Sequence, residues 1–172
     1  MANNKINMVG ILLAVSDIEK AKTFYETVME QKVADYDGVH MADFESGFSL
    51  AADYVGVVEG GKEPFSKHPT GAKIVMKTKA NNFQLAFEVQ DLGYWVRKVK
   101  SADGIELVHD VTEYNWGQRV IRFYDYDGHI VEIGESGHAV VKRLLSQGLS
   151  VEEIAERTWD TVENVQQLLG SE

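Results

Sequence analysis

The sequence predicts an α+β fold with two tandem βαβββ modules, followed by a helical appendage. Three observations predict it. Residues 11–18 and 85–92 repeat one pattern without a gap. Within each copy, the spacing of apolar residues changes from that of a strand to that of a helix. From about residue 138 onward, the spacing is helical only.

Each copy of the repeat begins with a short apolar strand that runs into an aspartate, Asp17 in the first copy and Asp91 in the second. An aspartate at such a position caps a helix, because its carboxylate accepts a hydrogen bond from a free backbone N–H of the first turn. Apolar residues at helical spacing follow each aspartate. They are Ile18, Ala21, Phe24, Tyr25, Val28 and Met29 in the first copy, and Leu92, Trp95, Val96 and Val99 in the second.

Three predicted strands follow each helix. In the first copy they lie near Val33–Tyr36, Val39–Phe44 and Phe48–Ala52, and in the second near Ile105–Val108, Arg119–Tyr124 and Ile130–Gly134. Asp37-Gly38 and Asp127-Gly128 separate apolar runs, which indicates hairpins because glycine tolerates a positive φ. A single module would leave one face of its sheet bare, so we expect the two modules to share one core.

These patterns set the predicted domain boundaries. A domain at residues 1–135 contains the two modules, at about residues 6–53 and 82–135, and the helical appendage covers residues 136–172. The stretch from residue 54 to residue 82 matches neither module. It is predicted to connect them, either as a plain linker or as a cover over the open side of a cavity.

Composition narrows the class of partner. The formal net charge is −10, from 27 acidic and 17 basic residues, which disfavours nucleic acid and anionic membranes as partners. Without cysteine, no disulfide and no thiolate metal site can form. We find neither a signal-peptide pattern nor an apolar run of the roughly 20 residues that span a bilayer, so a cytoplasmic protein is expected.

Two segments resemble a known family. Val15–Tyr25 is similar to the first strand and helix of the vicinal oxygen chelate superfamily, which includes glyoxalases, bleomycin-resistance proteins and extradiol dioxygenases. Trp116–Arg119, followed by Asp125–Glu132, resembles the closing hairpin of that family, with Tyr126 where the family more often has proline. The resemblance implies that the two tandem βαβββ modules form a cupped mixed β-sheet, whose concave face we call the cup. It also implies a small organic ligand and a homodimer, since family members commonly dimerise.

The same resemblance locates the family's metal ligands. Metal-using members take one ligand from the first strand and one from the last strand of each module, and these positions fall on Gly10, Ala51, Gln84 and Glu132. Gly10 and Ala51 have no donor atom, whereas zinc sites usually have at least about three protein ligands. We therefore expect no metal and no other cofactor; a divalent metal, if bound, would be held by Gln84 and Glu132.

Strand alternation predicts which side chains face the cup. Side chains at every second position of a strand share a face, so Gln84, Glu88 and Glu132 are expected in the cup, on the face opposite the helices. Tyr114 and Trp116 are expected at the rim, where an aromatic ring either stacks on a planar ligand or packs against the protein.

The two carboxylates each have alternative roles. Glu132 is either a general base or an acceptor for a ligand, or it pairs with Arg119 or Arg122. Glu88 either binds the ligand or is exposed to solvent at the edge of the sheet.

The appendage is predicted to form three helices, with Leu145 on the inward stripe of the first and a capping box from Ser150 to Glu153 at the start of the second. Gly148–Thr158 is similar to the helix-turn-helix of bacterial regulators. Charge opposes DNA binding, because six acidic residues outnumber three basic ones from His138 onward and Thr161–Leu169 contains no lysine or arginine.

Three functions follow as hypotheses. The first is the binding of a small, partly aromatic or cationic organic molecule without a metal. The second is a glyoxalase-like lyase of the lactoylglutathione lyase type, or a related metalloenzyme of dioxygenase type, with Glu132 as base and Gln84 holding a metal or a substrate oxygen. The third is a regulator that uses the C-terminal helices.

Overall fold

Each copy of the repeat forms a strand and a helix followed by three strands, as the sequence predicts. The computed structural model describes residues 8, 10–52, 79 and 81–170. The chain divides into two units, Met1–Thr78 and Lys79–Glu172, each of which holds one module. Most of the predicted connection between the modules lies outside the described residues.

The elements lie close to their predicted positions. The first module contains β1 (Ile11–Ala14), α1 (Ile18–Thr27), β2 (Val33–Tyr36), β3 (Met41–Phe44) and β4 (Phe48–Ala51). The second contains β5 (Gln84–Val89), α2 (Leu92–Ser101), β6 (Glu106–Glu113), β7 (Arg119–Tyr124) and β8 (Ile130–Glu135). Strand β6 extends five residues beyond its predicted end at Val108, because its polar second half pairs with β7 as far as Glu113 opposite Arg119.

The strands of each module form a four-stranded mixed sheet, and the two sheets have the same topology. Their strand orders are β1-β4-β3-β2 and β5-β8-β7-β6, with the first and last strands of each module paired in parallel. The registers also correspond, since Ile11 lies opposite Phe48 and Leu85 lies opposite Val131. The repeat found in the sequence is therefore a repeat of strand pairing as well.

Both predicted aspartate caps are present. Asp17 accepts a hydrogen bond from the backbone N–H of Lys20 at 3.0 Å, and Asp91 accepts one from Tyr94 at 2.9 Å. Each cap fixes the point at which the first strand of a module turns into its helix.

The buried faces of the sheets pack under these helices. In the first module, Tyr25 contacts the rings of Phe44 and Phe48, which stack on each other at 4.5 Å. In the second module, Leu85 and Val131 are buried on the helix side, whereas Gln84 is exposed on the other face. The alternation predicted for the two faces of β5 is thus confirmed.

Three helices follow the second module: α3 (Gly137–Ser146), α4 (Val151–Thr158) and α5 (Val162–Gly170). They enclose an apolar cluster of Val140, Val141, Leu144, Ile154, Ala155 and Val165. The capping box is confirmed, with Ser150 and Glu153 bonded to each other's backbone N–H at 3.2 and 2.7 Å. The inward position predicted for Leu145 is wrong, because its side chain is 43% exposed. Among the described helices, none is long and apolar enough to cross a membrane.

Glu135 joins the second sheet to the added helices. Its side chain is 2% exposed. Its two oxygens accept from the Nε of Arg119 at 3.0 Å and from the Nη2 of Arg143 on α3 at 2.9 Å. Burial alone would raise the pKa of Glu135, but the hydrogen bonds from the two guanidinium groups outweigh it and lower the pKa below its ordinary value of 4.5.

Replacing Glu135 should therefore weaken the whole second unit. Glu135→Gln leaves two guanidinium groups without their common anion, and we expect the free energy of unfolding at pH 7 to fall by about 3 kcal/mol or more. Because the folded-state pKa is lowered, the stabilisation is complete at neutral pH and is lost as the pH falls below 4.5 and through the folded-state pKa. The variant should accordingly lose less further stability in that acidic range than the native chain. Urea unfolding from pH 7 to pH 3 measures both effects.

Glu106→Gln is the matched control for this experiment. Glu106 belongs to an exposed ion pair with Lys79, so its loss should cost less than about 1 kcal/mol. Equal losses in the two variants would contradict the role given to Glu135.

Candidate functional site

The middle of the exposed face of the second sheet holds an ion pair. Ala86, Glu132 and Arg122 lie opposite one another on β5, β8 and β7. The Nε of Arg122 donates to Oε2 of Glu132 at 2.6 Å. Of the two partners predicted for Glu132, the structure therefore selects Arg122, while Arg119 binds Glu135.

Tyr114 completes this group. Its hydroxyl donates to the same oxygen of Glu132 at 3.3 Å, and its ring lies 5.5 Å from the guanidinium carbon of Arg122. Burial and the neighbouring carboxylate raise the pKa of the Tyr114 phenol, so it remains a neutral donor at physiological pH. Oε2 of Glu132 thus accepts from two side chains, and its charge is balanced within the sheet.

The corresponding row of the first sheet corrects one predicted position. Leu12, Ser49 and Asp43 lie opposite one another there, as Ala86, Glu132 and Arg122 do in the second sheet. The counterpart of Glu132 is therefore Ser49 and not Ala51, so the prediction was wrong by two residues. The hydroxyl of Ser49 donates to Asp43 at 2.5 Å, which gives this row polar atoms that the sequence comparison missed.

This donor set does not suit a divalent cation. Gly10 has no side chain, Ser49 offers a neutral hydroxyl, and Gln84 offers a neutral amide oxygen. Glu132 is a carboxylate, but the guanidinium of Arg122 at 2.6 Å puts a positive charge beside the oxygen that would bind the ion. Among the described residues, no group of three or more His, Asp or Glu side chains could hold a metal.

A cavity of about 250 Å³ lies at the end of the same sheet. We call it the hairpin cavity, because it is bounded by the end of the β6–β7 hairpin, by β5 and by the added helices. Its walls include Glu88, Trp116, Gln118, Val140, Asp160 and Leu168.

Two glycines allow this arrangement. A Cβ on Gly134 would lie 2.9 Å from the amide nitrogen of Gln118, so the bare backbone leaves room for Gln118 to reach the carbonyl of Glu135, to which it donates at 2.8 Å. Gly117 has a φ of +85°, and a Cβ there would lie 3.3 Å from side-chain atoms of Leu144 and Arg157. The hairpin turn therefore packs tightly against the added helices.

Three aromatic rings extend from the ion pair to the mouth of this cavity. Tyr114 and Trp116 are 4.4 Å apart between ring centroids, and Trp116 and Trp159 are 5.8 Å apart. Trp159 is 73% exposed and has a positive φ of 56°, a conformation that a bulky residue rarely adopts. The rings offer flat apolar surface beside a polar cavity.

The predicted site residues fall into two groups. Glu132 and Tyr114 meet at the ion pair, whereas Glu88 and Trp116 line the hairpin cavity. Gln84 belongs to neither group. It lies opposite Ile130 and not Glu132, and it is four residues from Glu88 along β5, which is roughly 13 Å in an extended strand. Sequence reasoning missed Asp160, which lies between α4 and α5, and Leu168 on α5. The spacing of residues within these segments gives no signal that they line a cavity beside the sheet.

The described histidines have local partners. Nδ1 of His129 lies 2.8 Å from Asp125, and Nδ1 of His138 lies 3.0 Å from Gln90. Burial lowers the pKa of His129, but the bond with Asp125 outweighs this and raises it overall. His68 lies outside the described residues.

Comparison with known proteins now identifies the fold family. The family described as glyoxalase-like domain matches residues 8–138, well over half of the chain. The chain belongs to the glyoxalase-like domain family. The match ends at the start of α3, so the greater part of the added helices lies beyond the family domain.

Several known proteins are similar to this chain in sequence or in fold. The fosfomycin resistance protein FosX of Listeria innocua is 22% identical over 125 residues, which are 72% of this chain and 84% of that protein. A protein of unknown function from Agrobacterium tumefaciens is 30% identical, with a TM-score of 0.61 over 77% of this chain and 96% of its own. A lactoylglutathione lyase from Agrobacterium tumefaciens is 16% identical, with a TM-score of 0.52 over 78% and 96% of the two chains, which shows the fold alone.

Substituting Glu132 tests whether its carboxylate belongs to an ion pair or to a metal site. Glu132→Gln leaves Arg122 without its anion, and we expect the free energy of unfolding to fall by roughly 1–2 kcal/mol. The loss should be the same in EDTA and in excess Zn²⁺, because the carboxylate stabilises the fold through Arg122. Urea unfolding, followed by tryptophan fluorescence, measures this loss.

Gln84→Ala serves as the control, since an exposed amide outside both groups should leave stability unchanged. A native chain that Zn²⁺ stabilises, with the effect lost in Glu132→Gln, would overturn this interpretation of the ion pair.

Proposed function

We propose that this member of the glyoxalase-like domain family binds a small organic molecule in the hairpin cavity, without a metal and without chemical conversion. The observation that carries the proposal is the cavity itself. It combines apolar walls from Val140 and Leu168 with the ring of Trp116 and a few polar groups. Such a lining is typical of small-molecule sites, in which apolar surface supplies affinity and polar groups set orientation.

The size of the cavity limits the ligand. Its volume of about 250 Å³ is below the roughly 300–1,000 Å³ of sites for drug-sized molecules. We therefore expect a compact ligand, of the size of a single aromatic ring with a short substituent.

The state of Glu132 favours binding over catalysis. A general base must be within hydrogen-bond reach of the proton that it abstracts. Oε2 of Glu132 instead accepts from Arg122 and Tyr114, and Gln84 is not among the residues that line the cavity. A glyoxalase-like lyase that relies on these two residues receives less support for that reason.

The relatives agree with a small-molecule ligand. The names of the FosX protein and of the lactoylglutathione lyase both refer to small organic compounds. Both proteins are distant in sequence, so we infer the class of ligand from the lining of this chain's own cavity.

Removing the aromatic wall should weaken binding. The probes are benzylamine, benzyl alcohol and benzoate, titrated by calorimetry into protein treated with EDTA. We expect at least one of them to bind, and Trp116→Leu to weaken that binding about fivefold, because a ring contact contributes about 1 kcal/mol beyond the buried area. Added Zn²⁺ should not change the affinity.

Trp95→Leu is the matched control. Trp95 lies on α2 and does not line the hairpin cavity, so its loss should leave the affinity unchanged. The proposal fails if none of the three probes binds, if binding requires Zn²⁺, or if the two tryptophan variants lose affinity equally.

A further inference from the structure

We infer that the molecule bound in the hairpin cavity carries a positive charge, as an amine or a quaternary ammonium group on an apolar or aromatic body, and that Glu88 and Asp160 recognise this charge. The inference rests on the proposed function, because it names the ligand class of the same cavity. It begins from the charges of the lining rather than from the family.

The lining of the cavity has uncompensated negative charge. Among its lining residues that the structure describes, three carry carboxylates and none is a lysine, arginine or histidine. The carboxylate of Glu135 is neutralised by Arg119 and Arg143, which are not among those lining residues. The charges of Glu88 and Asp160 remain.

These two carboxylates differ in how they are held. Asp160 accepts from the backbone N–H of Thr161 at 2.7 Å and from the side-chain amide of Asn164 at 2.5 Å, so its orientation is fixed. A carboxylate has about four lone-pair positions, which leaves Asp160 able to accept further bonds. No hydrogen bond or ion pair from another described residue reaches Glu88. One carboxylate is therefore pre-oriented, and the other is able to move toward a ligand.

The removal of water from these two carboxylates favours a ligand with a positive charge. Any molecule that fills the cavity removes water from Glu88 and Asp160, and removing water from an uncompensated charge is unfavourable. A neutral ligand leaves this cost in place and an anion adds repulsion to it. A cation offsets it by pairing with both carboxylates.

Trp116 also favours a cationic ligand. The indole face attracts cations more strongly than the rings of tyrosine or phenylalanine do. The ring centroid of Trp116 lies 4.4 Å from that of Tyr114 and 5.8 Å from that of Trp159, and its Nε1 donates to Gln118 at 3.3 Å. An indole that lines the same cavity as two carboxylates suits an ammonium group whose substituents are apolar.

The added helices supply an essential part of this recognition. Asp160 lies between α4 and α5, and Leu168 lies on α5, both beyond residue 138 where the family match ends. Glu88, in contrast, comes from the family domain. Preference for a cation is thus a property of this chain, created where its extra helices meet the sheet.

The test compares three probes of one shape and different charge. Benzylamine, benzyl alcohol and benzoate are titrated by calorimetry into the full chain at pH 7. We expect benzylamine to bind about tenfold more tightly than benzyl alcohol, by the cation–π and ion-pair contributions, and benzoate not to bind. Raising the salt concentration should reduce the difference, because screening weakens charge attraction.

Two variants assign the preference to its residues. Glu88→Gln should weaken benzylamine binding about fivefold and should not weaken benzyl alcohol binding, since an amide keeps the shape, removes the charge and lowers the cost of losing water. Asp160→Asn should act in the same direction, with thermal unfolding measured to show that α5 remains folded. Glu152→Gln, an exposed residue of α4 that does not line the cavity, is the control and should change neither affinity.

The outcomes separate the two claims. If benzyl alcohol binds as tightly as benzylamine, or benzoate binds more tightly, the charge inference is wrong and the proposed function stands. If no probe binds, the proposed function fails and the inference fails with it. If Glu88→Gln keeps the full preference for benzylamine, the assignment to this residue is overturned.

Discussion

The buried carboxylate of Glu135 connects the parts of the second unit. It lies at the end of β8 and accepts hydrogen bonds from Arg119 on β7 and from Arg143 on α3. Arg143 also donates to the carbonyl of Gly117 in the turn of the β6–β7 hairpin. One anion therefore fixes the strand end, the first added helix and the hairpin together, and the hairpin cavity exists only because these three elements are held in place.

A second ion pair, between Arg122 and Glu132, sets the charge in the middle of the second sheet. In metal-using proteins of this superfamily, the position of Glu132 is expected to supply a ligand. In this chain the positive charge beside the carboxylate of Glu132 is the guanidinium of Arg122. An ion pair of this kind is internally neutral, so it stabilises the sheet and leaves little charge for a metal or for proton abstraction. The chain belongs to the family, and one fold can carry many functions.

The proposed binding site lies at the edge of the sheet, where the family domain meets the added helices. Trp116 and Gln118 come from the hairpin, Glu88 from β5, and Asp160 and Leu168 from the added helices. The helix-turn-helix pattern of the appendage resembled a DNA-binding element, but its helices pack around their own apolar cluster and supply acidic and apolar side chains to the cavity. The shortage of basic residues in α5 agrees with that role.

Local signals in the sequence were sufficient for the modules, the two aspartate caps, the capping box and the face on which Gln84, Glu88 and Glu132 lie, because each depends on spacing within one segment. The tertiary structure decided the rest. The pairing of Glu132 with Arg122, the equivalence of Ser49 with Glu132 and the long β6 all depend on register between strands, which no single strand encodes. The presence of Asp160 and Glu88 in the lining of one cavity depends on how three helices pack against a sheet, and residues 72 positions apart carry no local pattern that predicts it.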